Sequence, residues 1–265
     1  MTIPRKDDLG SPGGEGARAS ELLGDVLSPH ARRILDELDL RRDPSLTCPP
    51  GALRRSLEER GLPVYESALE LEERAGGLLL ARMTRLATFA ALLPYPDLRT
   101  SDLLVFEGRP LLPIDASEIP SLWIDEAGVI YAGDRGEGSG DPAEGFCAPI
   151  YASYVKMFER FALQREPHWS PEPRLLRGQS HHLEIWGKAG EAVAEALEIP
   201  FFPAASDPFV RVWFDEPSLV QEINIPEYRV ATIAYLTSPE AAATAEAAAR
   251  RAWPGIIVLR DGKRL

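Results

Sequence analysis

Prolines and glycines break this chain so often that no element in it can run long: 24 prolines and 21 glycines are spread through 265 residues. Proline fixes φ and removes a backbone donor, and glycine weakens helix and strand interiors alike. Short elements joined by tight turns are therefore expected. Core material is nonetheless ample. Apolar side chains make up 45% of the sequence, which suits one large domain or two small ones and excludes wholesale disorder.

Charge and cysteine content narrow the classes further. Lys and Arg number 29 against 41 Asp and Glu, a net charge of −12. So acidic a surface repels phosphate backbones and anionic lipid, so free nucleic acid and membrane are poor partners, whereas a basic protein is not disfavoured. No apolar run approaches the ~18 residues of a membrane span. The opening residues, Met1 to Asp8, lack the apolar stretch of a signal peptide. Two cysteines, Cys48 and Cys147, cannot build a disulfide framework, and a reducing cytoplasm is the expected setting.

Residues 1–19, with Gly10, Gly13, Gly14 and Gly16 and no periodicity, read as a flexible tail. Apolar positions from Leu22 to Leu40 predict one or two short helices, with Ser28 as a cap and Pro29 in the first turn. A helix opened by Pro50 carries Leu53 and Leu57 and ends at Gly61. A second runs from Val64 to Ala75 and breaks at Gly76-Gly77. The apolar stretch Leu78–Leu93 leans helical on its Leu, Ala and Met content. Strands are expected at 103–106 and 111–112 around a Glu107-Gly108 turn. Leu122-Trp123-Ile124 and Val129-Ile130-Tyr131 form a hairpin about Asp125-Glu126-Ala127-Gly128. Gly133–Gly145 reads as a polar loop and Pro149–Leu163 as an amphipathic helix carrying Tyr151, Tyr154, Val155, Phe158 and Phe161. A proline-rich connector over 164–178 then separates a C-terminal α+β unit. That unit has a helix over 187–197, strands over 209–214 and 229–235, a helix capped by Ser238 and running to Trp253, and a last strand over 256–259 closed by Asp261-Gly262.

A search for chemistry finds little. His181, His182 and Glu184 form the one metal-like group, but adjacent imidazoles diverge on a strand or a helix, and zinc wants three or four converging ligands. A solvated or hydrogen-bonded pair is the plainer reading, and no metal or cofactor is expected. The acids Asp134, Glu137, Asp141 and Glu144 lack the spacing of an EF-hand loop and read as a solvated extension able to greet a basic partner. Neither a P-loop, a G-x-G-x-x-G turn, a G-x-S-x-G elbow nor an H-E-x-x-H pair occurs. Cys147, between Phe146 and Ala148, reads as a small buried hydrophobe. Trp123, Trp186, Trp213 and Trp253 read as core; Trp169, among the connector prolines, reads as a plug between the two halves or an anchor for a partner.

Three motifs give residues 52–163 a resemblance. Leu62-Pro63-Val64-Tyr65 with Ala68-Leu69 and Gly76-Gly77 follows a leading helix, Trp123 to Tyr131 forms a strand–turn–strand around D-x-x-G, and Pro149 to Phe158 enters a closing helix. In their order and spacing they resemble the SUKH superfamily, which includes fungal cell-wall regulators of the Smi/Knr type and many bacterial immunity proteins. The resemblance implies an α+β domain over 20–163, a mixed sheet flanked by helices, and leaves the C-terminal unit over 179–265 uncovered. It also implies binding without catalysis: bacterial members neutralise a cognate toxin, often a nuclease, by covering its active site. The expected contact surface is Asp125 and Glu126 on the turn with Asp134, Glu137, Asp141 and Glu144 on the loop. A scaffold or regulator of the same fold is one alternative reading, and a metal-dependent enzyme using His181, His182 and Glu184 is another.

Overall fold

The structure, a computed structural model, describes residues 16–44, 47–48, 51–78, 103–114, 122–133, 147–164, 181–216, 218–224, 231–260 and 263–264. The expected loop over 134–145, the connector with Trp169, and all of the apolar stretch after Leu78 lie outside these residues.

The N-terminal helices form where local chemistry places them. Helix α1 spans Ala19–Leu23 and α2 spans Pro29–Glu37. Ser28 caps α2, its Oγ accepting the Ala31 N–H at 3.2 Å, and Pro29 sits where a missing N–H does no harm. Residues 16–19, read with the tail, are tied down: Arg18 bridges Arg41, the Arg42 N–H donates to the Ala17 carbonyl, and Ala19 is fully buried. Helices α3 (Ala52–Glu59) and α4 (Glu66–Ala75) meet at a corner built on Gly61, whose φ is +65°. There the Leu62 N–H reaches the Leu57 carbonyl and the Gly61 N–H the Glu58 carbonyl, and Leu57 and Leu62 are both buried. This is the paired-bond ending that a left-handed residue makes possible.

Strands β1 (Leu104–Phe106), β2 (Arg109–Pro113), β3 (Leu122–Ile124), β4 (Ile130–Gly133) and β5 (Cys147–Tyr151) form an antiparallel sheet in simple chain order. The β1–β2 turn has positive φ at both Glu107 and Gly108 (+49° and +78°), the geometry that matches strand twist in a two-residue hairpin. One correction concerns the helix expected from Pro149. Pro149 and Tyr151 pair with Tyr131 and Ile130 on β4, and α5 spans Tyr154–Gln164 instead. Ser153 starts it, its Oγ accepting the Lys156 N–H. Helices α1 to α5 and one face of this sheet share a core that includes Leu23, Ile34, Leu57, Leu78, Ile124, Ile130 and Phe158.

The C-terminal unit holds β6 (His181–Trp186), α6 (Gly190–Ala196), β7 (Val210–Asp215), β8 (Ser218–Ile223), β9 (Ala231–Leu236), α7 (Pro239–Ala252), β10 (Val258–Arg260) and β11 (Lys263–Arg264). Its sheet runs β11-β10-β6-β9-β8-β7, every pair antiparallel. Strand β9 lies between β6 and β8, and β6 between β9 and β10, so two split β-α-β units interlock, with β7 added at the edge. Helices α6 and α7 pack on each other and on the sheet through small side chains: Ala189, Val193, Ala194, Ala242, Ala245 and Ala249 join Ile185, Val220 and Ala234.

Strand β8 has no counterpart in the sequence reading because its alternation is broken by Gln221 and Glu222, both buried. Glu222 faces the start of α6, its Oε2 accepting the Gly190 N–H at 3.0 Å. Trp253 is also not core. It is 52% exposed at the end of α7, because the chain turns at Gly255 (φ +91°) and seats Ile256 in the interior instead. Trp123 and Trp213 are buried as expected.

Candidate functional site

The β3–β4 hairpin carries the two described residues of the expected contact surface, and it separates their roles. Asp125 is only 3% exposed. Its Oδ1 accepts the Val129 N–H and its Oδ2 the Tyr131 hydroxyl, each at 2.9 Å. The backbone closes the same turn: Asp125 N–H donates to the Val129 carbonyl and Gly128 N–H to the Asp125 carbonyl. Gly128 supplies the φ of +85° that this turn requires. Asp125 as a solvent-facing contact residue is therefore corrected: its carboxylate is spent inside the turn. Glu126, one residue on, is exposed at the tip.

Helix α4 braces the turn from below. Ser67 Oγ lies 3.0 Å from the Asp125 carbonyl and 3.4 Å from that of Glu126. A Cβ on Gly128 would meet Ser67 Cβ at 3.2 Å, so the turn sits directly on α4. On the other side Arg109 of β2 brings Nη1 to 3.9 Å from Asp125 Oδ2 and bonds Glu107 at 3.2 Å. Beneath lies a small apolar core of Leu104, Leu111, Trp123, Tyr131 and Cys147. Burial, and then the bond to Asp125, push the Tyr131 phenol well above its ordinary range. Tyr65 shows a smaller version of the effect: burial raises its phenol, with the charges of Glu126 and Asp125 adding to it, and its hydroxyl donates to the Pro110 carbonyl at 2.7 Å.

The rim contains two acids that sequence reasoning missed. Glu66 precedes the bracing Ser67 and has a side chain 77% exposed; Glu107, in the β1–β2 turn, is 70% exposed. Arg54 bonds Glu66 and Arg109 bonds Glu107, so the tip's unopposed charge belongs to Glu126. Nothing in the sequence pattern joins positions 66, 107 and 126. They belong to three different elements: α4, the β1–β2 turn and the β3–β4 turn. Asp134, Glu137, Asp141 and Glu144 lie outside the described residues.

The other candidates are placed as follows. His181, His182 and Glu184 are positions on β6, their backbones paired with Leu236, Tyr235 and Ile233 of β9. Among the described residues no group of three or more His, Cys, Asp or Glu side chains converges in a way that could hold a metal ion. Cys147 is buried. No helix among the described residues is long and apolar enough to cross a membrane. Comparison of the chain with protein families, curated proteins and solved structures finds no match to any of them.

Proposed function

We propose that this protein acts by binding: it presents a rigid acidic face to a basic protein, and that partner is a cognate toxin of the nuclease type whose active site the face covers. The observation that carries this reading is the construction of the hairpin tip. A buried carboxylate, two backbone bonds and a hydroxyl from α4 fix the turn, and Glu126 projects from it on a chain of net charge −12. A preset loop loses little conformational entropy on docking, and complementary charge speeds encounter with a basic cleft. The reading also draws on the order of the described elements over residues 52–163: two helices, an antiparallel meander and a closing helix.

The test takes as candidate partner any secreted toxin found encoded beside this chain's gene, with association followed at low and at physiological salt. Replacing Glu126, Asp134, Glu137, Asp141 and Glu144 by their amides is expected to lower kon by about tenfold or more at low salt and to flatten its salt dependence. Unchanged kinetics in that variant, or a neighbouring toxin that the chain neither binds nor neutralises, would overturn the reading.

A further inference from the structure

The junction between the two sheets is organised by one carboxylate that serves both sides. Asp207 precedes β7, and its Oδ1 accepts the N–H groups of Phe209 and Val210, each at 2.9 Å, shaping the turn within its own unit. Its Oδ2 faces the other way: it accepts the Ala152 N–H at 3.0 Å and pairs with Arg160 of α5. The two side chains are 1% and 4% exposed. Arg160 also lies over the Tyr151 ring, 4.2 Å from its centroid. One turn earlier on α5, Lys156 Nζ donates to the carbonyls of Pro203 and Ala204 at 2.8 and 2.7 Å. At the periphery His30 of α2 packs on Phe214 and Arg33 bonds Glu216.

From this geometry we infer that the two units are separate bodies which part at this junction, and that the Asp207–Arg160 pair is the latch that keeps them shut. Each unit has its own apolar core. In the apolar cluster between them, Leu163 is the buried contribution from the N-terminal side, against Ala205, Val210, Val212, Phe214 and Leu219. The side-chain bonds named across the junction, from Asp207, Arg160, Lys156 and Arg33, are polar, as in interfaces across which domains move. A buried ion pair adds little over an apolar contact while whole, yet removing one partner strands the other charge. Closure thus hangs on a narrow set of atoms.

Two native reporters read the opening. The Ala152 amide has its acceptor across the junction, and Lys156, half-buried, has its ammonium engaged by two carbonyls of the other unit, whereas Lys188 is exposed and serves as a reference for acylation. In the unmodified protein at urea concentrations below the transition, Ala152 should exchange with a smaller denaturant slope than the Ile124 and Ala234 amides of the two sheets. In Asp207→Asn the side chain can still accept from Phe209 and Val210 but turns an NH2 toward Arg160 and Ala152. Lys156 acylation and Ala152 exchange should each rise about tenfold or more, with Ile124 and Ala234 unchanged. Equal slopes for all three amides, acceleration of all of them together in the variant, or no change at either reporter would each overturn the latch. If the variant fails to fold, the slopes in the unmodified protein decide the matter.

Discussion

At the scale of single residues, burial decides what a charge can do. Asp125 and Glu126 are neighbours in sequence with opposite fates: one carboxylate satisfies two donors within the turn, the other meets solvent. Asp125→Ala should therefore lower stability by about 1–3 kcal/mol, because the Val129 N–H and the Tyr131 hydroxyl lose their acceptor. Tyr131→Phe should cost nearer 1 kcal/mol, about the worth of one net hydrogen bond. Urea denaturation of the two single variants and the double variant checks both, and additive losses would show that the pair is not coupled. The phenols supply a pH test. Tyr131 is held neutral by burial and Asp125, and Tyr154 by burial and its bond to Glu70. The unfolded chain ionises its tyrosines near pH 10, whereas the native state resists. Their contribution is thus fully present below that pH and is lost as pH rises further. An ultraviolet titration should show these two phenols ionising only with unfolding; their titration in the native protein near pH 10 would contradict the assignment.

At the scale of elements, what the sequence made legible is what neighbours in the chain decide. Ser28-Pro29 and Ser238-Pro239 start helices because hydroxyl and proline act within one turn. Gly61, Gly108 and Gly128 mark corners because each adopts a positive φ. Two variants isolate such local terms. Gly61→Ala meets no atom within 4 Å, so its expected loss of about 1 kcal/mol is the strain of a positive φ alone. Ser238→Ala removes the acceptor of the Ala241 N–H and should also cost about 1 kcal/mol. Thermal melts read both. What escaped was set by distant partners. Tyr151 fits the apolar periodicity of α5 and Pro149 suits a helix start, yet β4 claims both as strand. Glu222 breaks the pattern of β8 because Gly190 needs its oxygen. The rim of the hairpin was hidden for the same reason, since Glu66 and Glu107 reach it from separate elements.

At the scale of the whole molecule, charge and closure act over different distances. The net charge of −12 reaches solution only across about 8 Å at physiological salt, so on the proposed reading its effect falls on the rate at which a basic partner arrives. The junction works by contact. Replacing the acids of the proposed contact surface should therefore change association and leave Lys156 acylation untouched, while Asp207→Asn should do the reverse; cross-talk between the two readouts would show that the units communicate. The buried stripe of α7 is Ala242, Ala245, Ala248 and Ala249, so the helix backbone rides close to its neighbours and leaves no room for a longer side chain. Larger side chains should therefore fold without loss at Glu240, Ala243 and Ala247, which are exposed, and unseat the helix anywhere on the buried stripe.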